Sequence, residues 1–190
     1  MAWISGNRYL SQSEMENNAR LICSYFTGLG WTLEAVSAML GNMETESTIN
    51  PNIWESLVEN TNKGYGLVQW TPATKYINWA GSDYENGYKQ CERIQYEMEN
   101  GLQWFSNEEA PIVEPPLTFK EFSQSKDNVK TLANYFLWYY EHPDNVNQTK
   151  RGEQALKWYE LLGGSSGDIP SIPIRVPKKK LPVWMMCRRF

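Results

Sequence analysis

Histidine is almost absent from this chain: among 190 residues only His142 is present. Cysteine is scarce too, with Cys23, Cys91 and Cys187 far apart and no CxxC or HExxH motif. No zinc-type ligand set exists, and neither a metal nor another cofactor is expected. An odd cysteine count fits poorly with a disulfide framework; Cys23 and Cys91 fall on apolar helical faces and read as buried thiols. A basic surplus is also lacking. The formal net charge is -4 and the pI about 5.2, which excludes nucleic acid as the main partner, because phosphate binding needs a basic face. No apolar run approaches the roughly 18 residues of a membrane-spanning helix. Residues 1–10 lack the charged segment and apolar core of a secretory signal, so synthesis without an export signal is expected.

Aromatic residues are abundant: nine Trp, eleven Tyr and six Phe, 14% of the chain. Large flat side chains suit dense helix packing or stacking on sugar rings, and composition alone favours the former. The length allows one compact domain of about 150 residues and a tail. A domain over residues 1–162 is expected, then a Gly/Ser linker at 163–168 and an extended arm at 169–190. The arm carries Lys178, Lys179, Lys180, Arg188 and Arg189, and prolines every few residues; it cannot build a core of its own. Its alternating Ile172, Ile174 and Val176, then Trp184 and Met185, suit addition to the sheet edge or groove of a partner.

Helical periodicity organises the domain. A capping box at Ser13-Glu14-Met15-Glu16 opens a helix to Thr27, ended by Gly28 and Gly30. Thr32 caps a second, with Val36, Met39, Leu40 and Met43 as its buried stripe; Gly41 inside it implies a close helix crossing. A short helix from Thr71-Pro72 to Ala80 follows, then one over 88–105, a proline-rich acidic loop at 106–117 and a short helix at Phe119 and Phe122. The run from Leu132 to Tyr140 is apolar nearly all round and predicts a central buried helix, and the last helix covers 148–162.

Chemistry concentrates at the end of the second helix. Its apolar stripe runs into Glu46 and stops at Asn50-Pro51. A carboxylate continuing a buried stripe is suited to act as a general acid, since apolar surroundings keep a carboxyl protonated near neutrality. The plainer alternative is a helix-end carboxylate tied to a lysine or a backbone amide, although the helix dipole disfavours a negative charge there. Glu44, two residues away, points elsewhere and reads as a solvated charge. The segment Gly64-Tyr65-Gly66-Leu67-Val68-Gln69-Trp70-Thr71-Pro72 reads as a small β-hairpin whose glycines permit positive φ or close approach of a ligand. Gln69 can hydrogen-bond a saccharide and Trp70 can stack on it; Trp70 can equally plug the core.

Gly41-Asn42-Met43, Glu46 to Pro51 and Gly64 to Pro72, in that order, resemble the phage tail lysozyme family. In pattern they are nearest to the lysozyme domain of tail-tip wall-degrading proteins of small podoviruses of Gram-positive hosts. Tyr140-Glu141, Pro143, Arg151 to Ala155 and Trp158-Tyr159 look like the closing helices of that family, so the resemblance spans about residues 8 to 162. It implies a lysozyme-like, mostly helical α+β fold with a small β-hairpin. It also implies a peptidoglycan muramidase on the virion tail tip, made in the host cytoplasm and opening the host cell wall. The family's catalytic glutamate maps onto Glu46 as general acid, with Tyr65, Gln69, Trp70 and Thr71 on the substrate and residues 169–190 docking on a tail or knob protein. His142 stands where the family commonly has Arg, and the arm stands where the nearest pattern has a linker to an endopeptidase domain. Some relatives of this fold work with one glutamate; Glu55, Glu59 and, more distantly, Asp83 are the candidates for a second carboxylate. The alternatives are a lytic transglycosylase on the same fold and a catalytically weak wall-binding tail protein.

Overall fold

In a computed structural model the described residues are 2–165, so the arm at 169–190, part of the linker and Cys187 lie outside them. Chain entry into the first helix, α1 (Gln12–Gly28), is set at Ser11, whose N–H donates to the Glu14 carboxylate at 2.8 Å. The capping box therefore begins two residues earlier than the Ser13 expectation: Ser11 has the extended backbone a cap needs, and Ser13 is already helical. Thr32 caps α2 (Leu33–Ser47) as expected, its hydroxyl oxygen accepting from Ala35 N–H at 3.2 Å.

Every residue of α2 from Ala35 to Met43 is buried. It packs chiefly on α7 (Thr149–Leu161), then on α6 (Val129–Phe136) and α1. This helix is the central one, a place the sequence pattern assigned to 128–141. The difference arises because the first turns of α6 keep Lys130 and Asn134 half-exposed, whereas Ala, Ser and Gly let α2 be enclosed from all sides. Gly41 marks the tightest crossing: a Cβ there would lie 2.5 Å from Arg151 carbonyl oxygen and 2.6 Å from Ala155 nitrogen, both backbone atoms of α7. Gly41→Ala gains about 1 kcal/mol of helix propensity but forces two backbones apart, an overpacking cost of about 1–3 kcal/mol. The expected net result is a fall of several degrees in the thermal midpoint, measured by circular dichroism.

α3 (Thr74–Ala80) and α4 (Gly87–Glu99) complete the helices around the turn region, with α5 (Phe119–Gln124) beneath α2. α3 starts two residues after Pro72, so that proline precedes the helix instead of opening it. α4 ends at Asn100-Gly101 and leaves Leu102 exposed outside it. Cys91 is fully buried and Cys23 half-buried, both as free thiols. Among the described residues the β component takes its smallest form: two antiparallel single-residue bridges, Trp54 to Tyr65 and Tyr65 to Trp70. Gly66 is required in this turn on two counts. Its φ is +79°, and a Cβ would fall 2.6 Å from the Gln90 side chain of α4, which itself accepts from Leu67 N–H at 2.8 Å. The loop after α4 is tied down: Trp104 donates to Leu117 carbonyl at 2.9 Å and Asn107 to Trp138 carbonyl at 2.9 Å. α6 continues into a π-helical turn, Leu137–Glu141, which ends at a left-handed His142.

No helix among the described residues is long and apolar enough to cross a membrane.

Candidate active site

Glu46 is held on backbone anchored by several side-chain hydrogen bonds. Ser47 hydroxyl donates to the Leu67 and Met43 carbonyls, and Leu10 N–H donates to Thr48 hydroxyl. Buried Asn50 donates to the carbonyls of Gly6 and Arg8. The helix stops at Thr48 and Ile49, both left-handed at φ 53° and 54°, one step before the Asn50-Pro51 stop expected from sequence. For β-branched residues this conformation is strained and persists only where surrounding contacts over-determine it.

Beside Glu46 lies a cleft of about 420 Å³ lined by Tyr9, Thr45, Trp54, Glu55, Gln69, Thr71 and Glu141, among others. A second recess of about 330 Å³, bounded by Lys75, Gln103, Phe105 and His142, shares Gln69, Thr71 and Glu141 with the first. The two form a groove that meets at those three residues. Each volume lies in or near the range typical of ligand sites. Among the described residues the non-glycine residues with positive φ are Thr48, Ile49, Ser56, Leu57, Gln69, Gln103 and His142. Ser56, Gln69, Gln103 and His142 line this groove, Leu57 adjoins Ser56, and Thr48 and Ile49 end the helix that carries Glu46; stored backbone strain of this kind clusters at binding sites.

The carboxyl of Glu46 faces a guanidinium: Arg151 Nη2 is 2.6 Å from Glu46 Oε1, with the arginine side chain 6% and the glutamate side chain 22% exposed. Arg151 is fixed by further donations to Gln148 Oε1 at 2.8 Å and Asn42 Oδ1 at 3.2 Å. Asn42 is in turn held by the Ala38 and Ala133 carbonyls, so α2, α6 and α7 all bear on the position of this cation. Glu141, at the end of the π-helical turn, presents a second carboxyl to the same groove. Its Oε1 is buried without a hydrogen-bond partner. Burial first, then the charge of Glu46, hold its carboxyl well above the ordinary carboxylate value, with Arg151 pulling the other way.

The residues expected to contact substrate divide. Gln69 and Thr71 line both parts of the groove. Trp70 touches the second recess but is only 4% exposed; its indole N–H donates to Glu97 and its ring stacks on Tyr76 at 4.5 Å. It fills the core and leaves no face for a sugar. Tyr65 is completely buried and donates to Asn52, away from both cavities. The exposed aromatics at the groove are Tyr9 and Phe105 instead, 62% and 52% exposed. Of the expected second carboxylates, Glu55 lies on the cleft rim, where Gly64 N–H and Lys63 draw its carboxyl below the usual range. Glu59 and Asp83 are exposed and line neither cavity. Glu44 is not a free surface charge: Trp158 indole N–H donates to it at 2.7 Å, tying α2 to α7. His142 sits against the Tyr139 carbonyl at 3.0 Å, and desolvation lowers it from the ordinary imidazole value, so it does not stand in for a permanent cation.

Glu141 and Arg151 carry signals that sequence can show. Glu141 ends an apolar helical run as Glu46 does, and Arg151 opens the stripe Arg151, Ala155, Trp158, a cation on an otherwise apolar face. Among the described residues no group of His, Cys, Asp and Glu is arranged to hold a metal ion.

The model of a family described as phage tail lysozyme matches residues 17–162. The chain is also 48% identical over 167 residues to Morphogenesis protein 1 of Bacillus phage B103, covering 84% of this chain. It spans 43% of the length of that relative.

Proposed function

The chain belongs to the phage tail lysozyme family, which makes it a virion-associated protein of lysozyme type; from that premise we propose that it cleaves the β-1,4 bond between N-acetylmuramic acid and N-acetylglucosamine in peptidoglycan, opening the host wall for genome delivery. Glu46 is the proton donor to the leaving oxygen. The observation that carries this reading is the place of Glu46: a half-buried carboxyl on a well-anchored helix end, lining a cleft that a second recess adjoins at Gln69, Thr71 and Glu141. An extended polymer needs such a groove, and Gln69 and Thr71 stand where its two parts meet, in reach of sugar hydroxyls and acetamido groups. Tyr9 and Phe105 offer flat apolar faces at opposite parts of the groove, suited to stacking on pyranose rings. The arm at 169–190 is read as the segment that docks this enzyme on a tail protein.

The test is product analysis. Purified sacculi digested with the protein are expected to release soluble muropeptides with reducing N-acetylmuramic acid ends. Anhydro ends would make the enzyme a transglycosylase, in which the 6-hydroxyl of the sugar replaces water as the nucleophile. Binding to sacculi with no soluble fragments at any pH between 5 and 8 would leave only a wall-binding role.

A further inference from the structure

We propose that Glu141 is a positioning residue of this site: with Glu46 and Arg151 it forms one unit that carries a single proton between two carboxylates, and it thereby keeps Glu46 supplied as an acid. The inference rests on the reading of Glu46 given above. Three geometric observations place Glu141 there. It lines the same cleft as Glu46 and also the adjoining recess, so it stands at the junction of the groove. Its Oε1 is enclosed with no partner, a costly state for a carboxylate and a much cheaper one for a carboxylic acid. Finally, it is delivered by a π-helical turn that ends in a left-handed non-glycine residue, a local irregularity maintained against its cost.

The charges around Glu141 can be named element by element. Glu46 of α2, Arg151 of α7 and Glu97 of α4 all act on it electrostatically. Glu97 is itself engaged by Arg93 at 2.8 Å and by the hydroxyl of Tyr140. Lys75 of α3 borders the recess, and His142 follows in the chain. Two carboxylates and one guanidinium leave a net charge of -1 in a partly desolvated place, and one proton makes the unit neutral. In the free protein Arg151 engages Glu46 and the proton rests on Glu141, consistent with the strong upward displacement of that carboxyl. Such a pair titrates as a unit.

The turnover balances. Glu46 transfers the proton of the pair to the glycosidic oxygen as the bond from that oxygen to the anomeric carbon breaks. Water adds its oxygen to the anomeric carbon, and the proton it releases returns to the pair. One proton leaves the unit and one is regained.

Glu141→Gln keeps shape and removes the shared charge. At pH 7 the rate of fragment release is expected to fall at least tenfold and to recover as the pH is lowered, with the alkaline limb of the pH–rate profile moved at least one unit towards acid. A profile superimposable on the wild type would overturn the proposal. So would complete inactivity at every pH in a variant with wild-type circular dichroism, since that would make Glu141 the donor itself. Because Glu141→Gln could fold poorly, the wild type supplies an independent measurement. Carbon-13 NMR of glutamate side chains should show one carboxyl still protonated well above the ordinary glutamate value of about 4.3; titration of every carboxyl within the ordinary glutamate range would refute the shared proton. Failure of the enzymatic reading looks different: the wild type then releases no fragments, whatever its NMR titration shows.

Discussion

Glu46→Gln is expected to reduce the release of soluble wall fragments by about 10³-fold, the order that a positioned acid contributes, while the protein stays folded. Turbidity clearance of sacculi should fall to background, and the thermal midpoint should move by only a few degrees. The small structural cost follows from the surroundings. The end of α2 is held by Ser47, Thr48 and Asn50, none of which depends on the Glu46 carboxyl. A glutamine oxygen can still accept from Arg151 where Glu46 Oε1 now does. The guanidinium also keeps a counter-charge in reach: removing the charge of Glu46 takes away the second-largest influence holding Glu141 protonated and leaves Arg151 to pull it towards ionisation. Glu46→Ala lacks the acceptor and should cost more stability for the same loss of activity. Clearance by Glu46→Gln at the wild-type rate would end the assignment of Glu46 as the donor.

Local signals made Glu46 legible; those at Glu141 and Arg151 were present but gave neither residue a place beside Glu46. An apolar stripe of period 3.6 running into a carboxylate is a property of a dozen consecutive residues, and so is the glycine-bounded turn that carries Gln69 and Thr71. Helix existence was legible for the same reason, with ends displaced by one or two residues in most cases, as at Ser11 and Thr74. Orientation inside the turn was not. Tyr65 and Trp70 pair with each other through one antiparallel bridge, and the way the turn meets α4 is decided by Glu97, which holds Trp70, and Gln90, which holds Leu67, partners 27 and 23 positions further on. Glu141 escaped for a subtler reason. Counting from Leu132 at 3.6 residues per turn gives the wrong direction once the chain enters a π-helical turn, because the wider turn inserts a residue into the register. The family resemblance covered Glu141 and Arg151 as pattern without giving either a role. Arg151 meets Glu46 across the crossing of α2 and α7, which depends on a missing Cβ at Gly41.

Arg151 is where stability and chemistry meet, and Arg151→Met should show both. The guanidinium serves Glu46, Asn42 and Gln148 at once, a task its planar fork can perform and a lysine ammonium cannot, so Arg151→Lys is no conservative change here. Removing one partner of a buried ion pair typically costs about 3–5 kcal/mol, which for a domain of this size lowers the thermal midpoint by about 10 °C. The cost should depend on pH in a definite sense. Without the cation, Glu46 and Glu141 share one cleft with their mutual repulsion no longer offset by Arg151, so the folded state of the variant binds protons more tightly than the unfolded chain does. A carboxyl raised on folding contributes stability below its unfolded value and loses it as pH rises through its folded value. The deficit of Arg151→Met relative to wild type is therefore largest at pH 7 to 8 and shrinks as pH falls towards about 4.3, the ordinary glutamate value. Paired thermal melts of the two proteins across that range measure it directly. A gap in midpoint that stays constant with pH would mean that Arg151 contributes hydrogen bonds and side-chain volume alone, and that the two carboxylates do not share its charge.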